Sequence, residues 1–458
     1  MIRSLLKKLE IERAVIFLVL SKVWALFAIP ATALLIVSRF TPVLQGYYYT
    51  FLNILSLQVL VELGLGYIIV QFASHEWSRL GLARDGSITG DKNSLSRLAS
   101  LAGFASKWYL IAGAVAAAGL GLVGFIFFSA SANQGIDWTA PWLLLSFLTG
   151  VTIFLIFIWS LLEGSNQVAN LYAFRLFQTA ASNVALWTAI LFGAGLWSVS
   201  ISSLTAQACA FLFLRFKYWS YIKTLLFTAT AGPRINWKKE VLPMQWRFAL
   251  SGISGYCIFF LFTPVLFYFH GPVVAGQFGM TWSIVAAVGS ISYAWIIPRI
   301  PSFGILIAKK EYGELDRLFK KLLKIMIGLV MLESIGLWLL VLVLNWLDFP
   351  LVHRLLPPWP TGILILAQIV MVISLPFSAY LRAHKKEPLF FLSMLQGFLI
   401  GASTFILGRY FSALGMVAGY LAVNLLITPS IIYVWHQLRK KWHADDYIDA
   451  ALLTGETI

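Results

Sequence analysis

The sequence predicts an all-α polytopic membrane protein of about 12 transmembrane helices, arranged as two six-helix lobes related by a pseudo-twofold axis along the membrane normal. Three observations carry the membrane-helical class, and a repeat described below carries the two lobes. Some 60% of the 458 residues are hydrophobic and only 12% are charged, with a mean hydropathy of +0.83, so most of the chain cannot lie against water. The apolar residues form continuous runs long enough to cross about 30 Å of hydrocarbon, and they do not alternate as barrel strands would. Lysine and arginine gather on one side of those runs.

The first run, 13–38, follows "MIRSLLKKLEIER", a basic amphipathic stretch suited to the inner membrane surface. It is too long for a cleavable signal and is expected to stay in the protein. The others fall near 43–74, 107–129, 141–162, 171–193, 196–216, 245–269, 273–298, 323–346, 359–381, 389–408 and 413–436. Prolines 30, 264, 298, 376 and 429 sit within or at the ends of spans, where a missing amide hydrogen bond bends a helix. Pro30 and Pro264 lie in the first helix of each half, as gates or as static packing kinks. With both termini in the cytoplasm, about 29 of the 34 basic residues fall on the cytoplasmic side. The net charge of +15 is then mostly this bias plus attraction to anionic lipid, and no nucleic-acid partner is needed.

"TPVLQG" at 41–46 and "GPVVAG" at 271–276 match in proline, valine and glycine at a constant offset of 230, each leading into a span. Ordinary capping could account for the prolines, but the equal topological position favours a repeat. The domain division is therefore 1–216 for the N-terminal lobe, 217–244 for a basic cytoplasmic linker, 245–436 for the C-terminal lobe and 437–458 for a cytoplasmic tail. Parallel halves of this kind place a substrate path between them.

Polar groups inside spans are costly and mark function or helix pairing. "QVLVELGLGYIIVQF" at 58–72 carries Glu62, with Gln58 and Gly66 on the same helical face at i, i+4, i+8. Glu62 reads as a structural salt bridge or hydrogen bond to a neighbouring helix, with Lys22 of the first span as partner, or as part of a translocation path; Lys22 could instead snorkel. In the fifth span, Arg175, Gln178, Thr179, Ser182 and Asn183 form a polar stripe, which fits helix-to-helix hydrogen bonding or an aqueous lumen. Arg247, Ser251, Ser254 and Gly255 repeat it more weakly in the seventh. Lys22, Arg175 and Arg247 facing a common cavity would draw in an anion such as phosphate. Substrate-binding candidates are therefore Lys22, Glu62, Arg175, Gln178, Asn183 and Arg247. Glu62 and Glu333, the intramembrane carboxylates, are the candidates for binding a coupling proton or sodium ion.

Other chemistry is sparse. Cys209 and Cys257 each fall inside a span and read as packing, and the six histidines lack ligand spacing, so no metal is expected. No Walker loop is present, the loops 75–106 and 300–322 are too small for catalytic domains, and Asp137 and Asp348 are the only external acids. A membrane glycosyltransferase or polymerase is thereby disfavoured, and the chain reads as a non-enzyme.

The segment "FTPVLQGYYYTFLNILSLQVLVELGLGYIIVQFASHE", 40–76, resembles the opening of bacterial polysaccharide exporters: proline-x-x-x-glycine-tyrosine, then an acidic residue followed by Gly-x-Gly. It is similar to O-antigen and lipid-linked oligosaccharide flippases of the multidrug/oligosaccharidyl-lipid/polysaccharide exporter superfamily. The resemblance implies a V-shaped pair of lobes alternating between inward- and outward-open states in the bacterial inner membrane. It implies translocation of an undecaprenyl-pyrophosphate-linked oligosaccharide to the periplasmic leaflet for surface polysaccharide synthesis. Carried over, Glu62 takes the acidic position of the motif and Gly64 and Gly66 its glycines. Membrane lipid is a partner, with a polysaccharide polymerase and chain-length machinery as candidate protein partners and no cofactor beyond a coupling proton or sodium ion. The rival within the superfamily is a multidrug or small-molecule exporter, which should have an acidic lumen.

Overall fold

The computed structural model describes residues 2–62, 64–83, 85–130, 135–227, 232, 242–384 and 387–454. Its elements in chain order are α1 (Ile2–Arg39), α2 (Pro42–Leu55), α3 (Gln58–Glu62), α4 (Leu65–Trp77), β1 (Leu80–Leu82), β2 (Ile88–Gly90), α5 (Lys92–Ala130), α6 (Thr139–Gly164), α7 (Val168–Leu191), α8 (Trp197–Lys217), α9 (Trp219–Phe227), α10 (Leu242–Phe259), α11 (Phe262–His270), α12 (Pro272–Ala294), α13 (Ile300–Ala308), α14 (Tyr312–Trp346), α15 (Pro358–Ala383) and α16 (Phe390–Thr454).

Every expected span falls on a helix or a bent helix pair. Among the described residues eight helices are long and apolar enough to cross a membrane, and the bent pairs α2–α4 (50°) and α10–α11 (49°) raise this to ten. The two remaining expected spans are α7, whose polar stripe lowers its hydropathy, and the second arm of α16. The chain is a multi-pass membrane protein. The all-α reading holds, with one short addition in the loop after α4: β1 and β2 pair antiparallel, Leu80 opposite Gly90, around a turn in which Asp85 accepts from the Ser87 amide and hydroxyl at 3.0 and 2.7 Å. Period-2 patterning over three residues was too short to show against the apolar runs.

The chain divides into two compact units, Met1–Tyr256 with Gly271–Gly276, and Cys257–His270 with Gln277–Ile458. Of the expected linker 217–244, residues 219–227 form α9 and most of the rest lies outside the described residues.

In the first unit, glycine sets how closely helices approach. A Cβ at Gly113 would lie 2.5 Å from the Gly150 carbonyl oxygen and one at Gly124 only 2.1 Å from the Trp142 ring, so α5 and α6 pack at backbone distance. Trp142 donates from its indole to Leu120 O at 3.2 Å and sits in a buried aromatic group with Phe51 and Phe128. The two sequence repeats also meet here: Gln45 Nε2 donates to Gly276 O at 2.9 Å, and a Cβ on Gly46 would lie 1.9 Å from Pro272 O. At the α4–α5 end, buried Glu76 pairs with Arg97 Nε at 2.7 Å. Arg97→Ala leaves that carboxylate without its cation; because Arg97 is about one-third exposed, the expected loss is about 2–3 kcal/mol, below that of a fully buried pair, read as a fall in the melting temperature of the detergent-solubilised protein.

In the second unit, α16 is two antiparallel helices. The chain reverses at Ser412 (φ 56, ψ −148), Gln396 Nε2 donates to Asn424 Oδ1 at 3.1 Å, and a Cβ at Gly419 would meet Ser403. Ser412 occupies a backbone region that favours glycine, so Ser412→Gly is expected to stabilise the fold by roughly 1 kcal/mol, again seen by thermal melting. A polar clasp ties three helix ends together. Arg439 of α16 grips Asp316 of α14 with a two-pronged ion pair, Tyr380 of α15 donates to Asp316 Oδ1 at 3.2 Å, and the Tyr380 hydroxyl meets His443 Nε2 at 3.0 Å.

Candidate functional site

The first unit holds the substrate-binding candidates that the sequence singles out. Gln58, Glu62 and Gly66 do not share one straight helix: α3 ends at Glu62, Gly64 takes a left-handed conformation (φ 67, ψ 14) and α4 starts at Leu65. A helix restarted this way presents unpaired N–H groups and its positive dipole end. Glu62 is the acid next to them, and its carboxylate turns back to accept from the Gly66 backbone. The absence of a side chain on Gly66 makes this possible, since a Cβ there would lie 2.9 Å from Glu62 Oε1 and 3.0 Å from Ser160 Oγ. Tyr109 of α5, wholly buried, lies in electrostatic reach of Glu62, and its hydroxyl makes no hydrogen bond of good geometry.

Glu62 therefore sits in a cluster with the Gly66 amide, the Ser160 hydroxyl and the Tyr109 phenol. Among the described residues no ion pair joins it to Lys22; the helix break turns the carboxylate toward α5 and α6, the helices that pack on α3. A carboxylate held among neutral oxygens and one amide can take up a proton or a small cation. Sequence reasoning missed Tyr109 and Ser160 because single polar residues in apolar helices carry no spacing signal.

The α7 stripe splits into two faces. Gln178 Nε2 donates to Ala206 O of α8 at 2.7 Å, and the Ser202 hydroxyl donates to Ser182 O at 2.9 Å; this face is helix-to-helix hydrogen bonding. One step round, Arg175 and Thr179 are exposed and Asn183 is half-buried, one turn apart along a single face. Tyr172, near Arg175, also feels Glu163. Lys22 is half-buried on α1, which packs on α7 through Trp24 and Trp187, their ring centroids 5.9 Å apart, and through Trp187 Nε1 donating to Thr32 Oγ1 at 2.8 Å. Lys22 and Arg175 thus stand on adjacent helices. Arg247 falls on α10, with its side chain outside the described residues.

The second unit has its own carboxylate. Glu333 of α14 accepts from Ser292 Oγ of α12 at 2.6 Å. One turn earlier on α12, a Cβ at Gly289 would lie 2.4 Å from Gln368 Nε2 of α15. Gln368 is buried and its Oε1 has no hydrogen-bond partner. The result is a carboxylate, a hydroxyl and an orphan amide oxygen supported on one stretch of α12. A recess of about 340 Å³ between α14 and α15, with Trp338 and Trp359 in its walls, is apolar apart from Ser334.

Comparison with solved structures places this architecture. A multidrug resistance MATE family transporter of the MOP superfamily in an inward-facing conformation matches with a TM-score of 0.64 over 91% of this chain and 94% of its own, at 13% identity. The chain has the MATE transporter fold. The MATE multidrug transporter DinF-BH, solved as a complex, matches at 0.60, with 16% identity and 95% of both chains covered. A MOP superfamily transporter from Pyrococcus furiosus, described as having a binding pocket of reverse polarity that suggests a different function, matches at 0.54, with 12% identity over 95% of this chain and 96% of that one. No protein-family model matches the chain, and no curated protein matches it significantly.

Proposed function

We propose that this chain is a secondary transporter working by alternating access, with a proton or sodium ion bound at Glu62 as the coupling ion. The observation that carries the reading is the Glu62 carboxylate beside a broken helix, next to the buried Tyr109 phenol. A charged group at membrane depth costs roughly 2.5–3.5 kcal/mol on the insertion scale, and the motif holds it without the lysine that would make it a structural ion pair. Glu333, with Ser292 and the Gln368 oxygen, is a second candidate ion site.

Two cargoes are in play. Export of a small amphipathic molecule is favoured by the solved structures of similar fold, which are described as multidrug transporters. Translocation of an undecaprenyl-pyrophosphate-linked oligosaccharide is favoured by this chain's own residues: the 40–76 segment, and the open Arg175–Thr179–Asn183 face next to the helix of Lys22. Guanidinium and ammonium groups replace water around a pyrophosphate, whereas they repel a cationic drug. The reverse-polarity pocket described for the Pyrococcus furiosus protein is a precedent for such a change of charge on this fold. In this reading the protein lies in a bacterial inner membrane with both termini cytoplasmic, alongside polysaccharide polymerase and chain-length machinery.

Proteoliposomes separate the cargoes. The purified chain is reconstituted with a fluorescent undecaprenyl-pyrophosphate saccharide in one set and a cationic rhodamine dye in the other, under a pH or sodium gradient. The anionic reading expects lipid-linked saccharide to reach the far leaflet and Arg175→Ala to slow it roughly tenfold, the worth of one charge-assisted contact. Gradient-driven rhodamine efflux unaffected by Arg175→Ala selects the multidrug reading. Movement of neither overturns the transporter proposal.

A further inference from the structure

The end of α8 and the whole of α9 carry a surface outside the candidate site. Tyr221 shares a 2.7 Å hydrogen bond with Ser165 Oγ and donates to Leu161 O, while Tyr218 donates to Gln167 Oε1 at 3.0 Å. Burial pushes the Tyr218 hydroxyl up to about 12 and raises that of Tyr221 as well, so both remain protonated and α9 stays seated at every physiological pH. Tyr221 and Leu225 are the buried side of α9. Its opposite side is Trp219, Lys223 and Phe227, spaced four apart and all exposed.

This stripe continues the outer face of α8. Leu212 and Phe216 are exposed, Phe216 to 82% and Phe227 to 72%, and Arg215 lies over the Trp219 ring at 5.5 Å. Lys217 is already engaged, donating to Asn170 Oδ1 at 2.9 Å. In the hairpin, which meets the start of α9 where Gly86 faces Ser220, Asp85 accepts from the Ser87 amide and hydroxyl. Arg215 and Lys223 are thus two cations set among exposed aromatic side chains at the point where a membrane-crossing helix ends. Aromatic rings with basic groups at this depth match the boundary between lipid tails and headgroups.

We infer that the α8–α9 corner is a binding surface for anionic phospholipid, with Phe216, Trp219 and Phe227 among the upper acyl chains and Arg215 and Lys223 on the headgroup phosphate. The inference rests on α8 crossing the membrane and is independent of which cargo is carried. A basic side chain near an anionic surface is worth about 1 kcal/mol, roughly fivefold, so the pair sets a preference of roughly thirtyfold.

Native mass spectrometry of the full chain in detergent with equimolar phosphatidylglycerol and phosphatidylcholine tests it. Wild type is expected to retain phosphatidylglycerol preferentially, Lys223→Gln to lower the preference roughly fivefold, and Arg215→Gln with Lys223→Gln to bring it close to one. Phe216→Ala with Phe227→Ala should weaken both lipids and leave their ratio unchanged. Lys223 is exposed on a seated helix, so the single variant should melt like wild type in phosphatidylcholine and report binding alone. Equal retention of the two lipids by wild type, an unchanged ratio in the double charge variant, or release of the bound lipid by inorganic pyrophosphate would overturn the inference.

Discussion

Gly46→Ala is expected to destabilise the protein by at least about 3 kcal/mol, the upper range for overpacking, and to deplete monodisperse protein in detergent extracts. The added carbon would stand 1.9 Å from Pro272 O and 2.5 Å from Pro272 C. These are backbone atoms, which cannot swing aside as a side-chain tip can. Moving them disturbs the Gln45 to Gly276 hydrogen bond, and the reciprocal contact gives no room either, because a Cβ on Gly276 would sit 2.8 Å from Gly46 N. The control is Gly328→Ala: Gly328 is exposed on α14 with nothing within 4 Å of its missing Cβ, and alanine there should be neutral or stabilise by up to about 1 kcal/mol through helix propensity. Parallel melting curves decide the matter. Equal melting of the two variants would mean that the approach of the two glycine motifs is a convenience of packing and not a requirement of the fold.

That contact also shows what was legible in the sequence. The offset match of 41–46 with 271–276 pointed to two positions with one job, and both lie at the start of a helix, α2 with Thr41 as its cap and α12 with Pro272 first. That the glycines touch each other was invisible, since proximity across 230 residues leaves no local signal. The spans were readable because each is long, and even the reversal at Ser412 was anticipated by the gap between 408 and 413. The break at Gly64 was not: Gln58, Glu62 and Gly66 keep helical spacing, and a single left-handed glycine overrides it. In α7, periodicity located the stripe, but only packing against α8 separates the engaged Gln178 and Ser182 from the open Arg175, Thr179 and Asn183.

Glu62→Gln should abolish ion-driven transport while leaving the protein folded. Coupling between two ligands is typically worth about 1–3 kcal/mol, or roughly 5–150-fold, and glutamine keeps the shape and the Gly66 contact while removing the charge and the exchangeable proton. The gradient-driven rate in proteoliposomes should therefore fall at least roughly tenfold, with cargo binding at equilibrium little changed. Tyr109→Phe and Ser160→Ala, which remove neutral groups beside the carboxylate, should each cost only a few-fold, the worth of one uncharged hydrogen bond. A structural Glu62 behaves differently. Its amide variant would lower the melting temperature, and transport per folded molecule would stay coupled and at the wild-type rate. The two outcomes part on a single ratio, rate with the gradient over rate without it. For a coupling carboxylate that ratio collapses to one in Glu62→Gln and survives in Glu333→Gln; if the reverse is found, the ion is carried by the Glu333, Ser292 and Gln368 group of the second unit, and the acid of the broken helix serves only to fix the ends of α3 and α4.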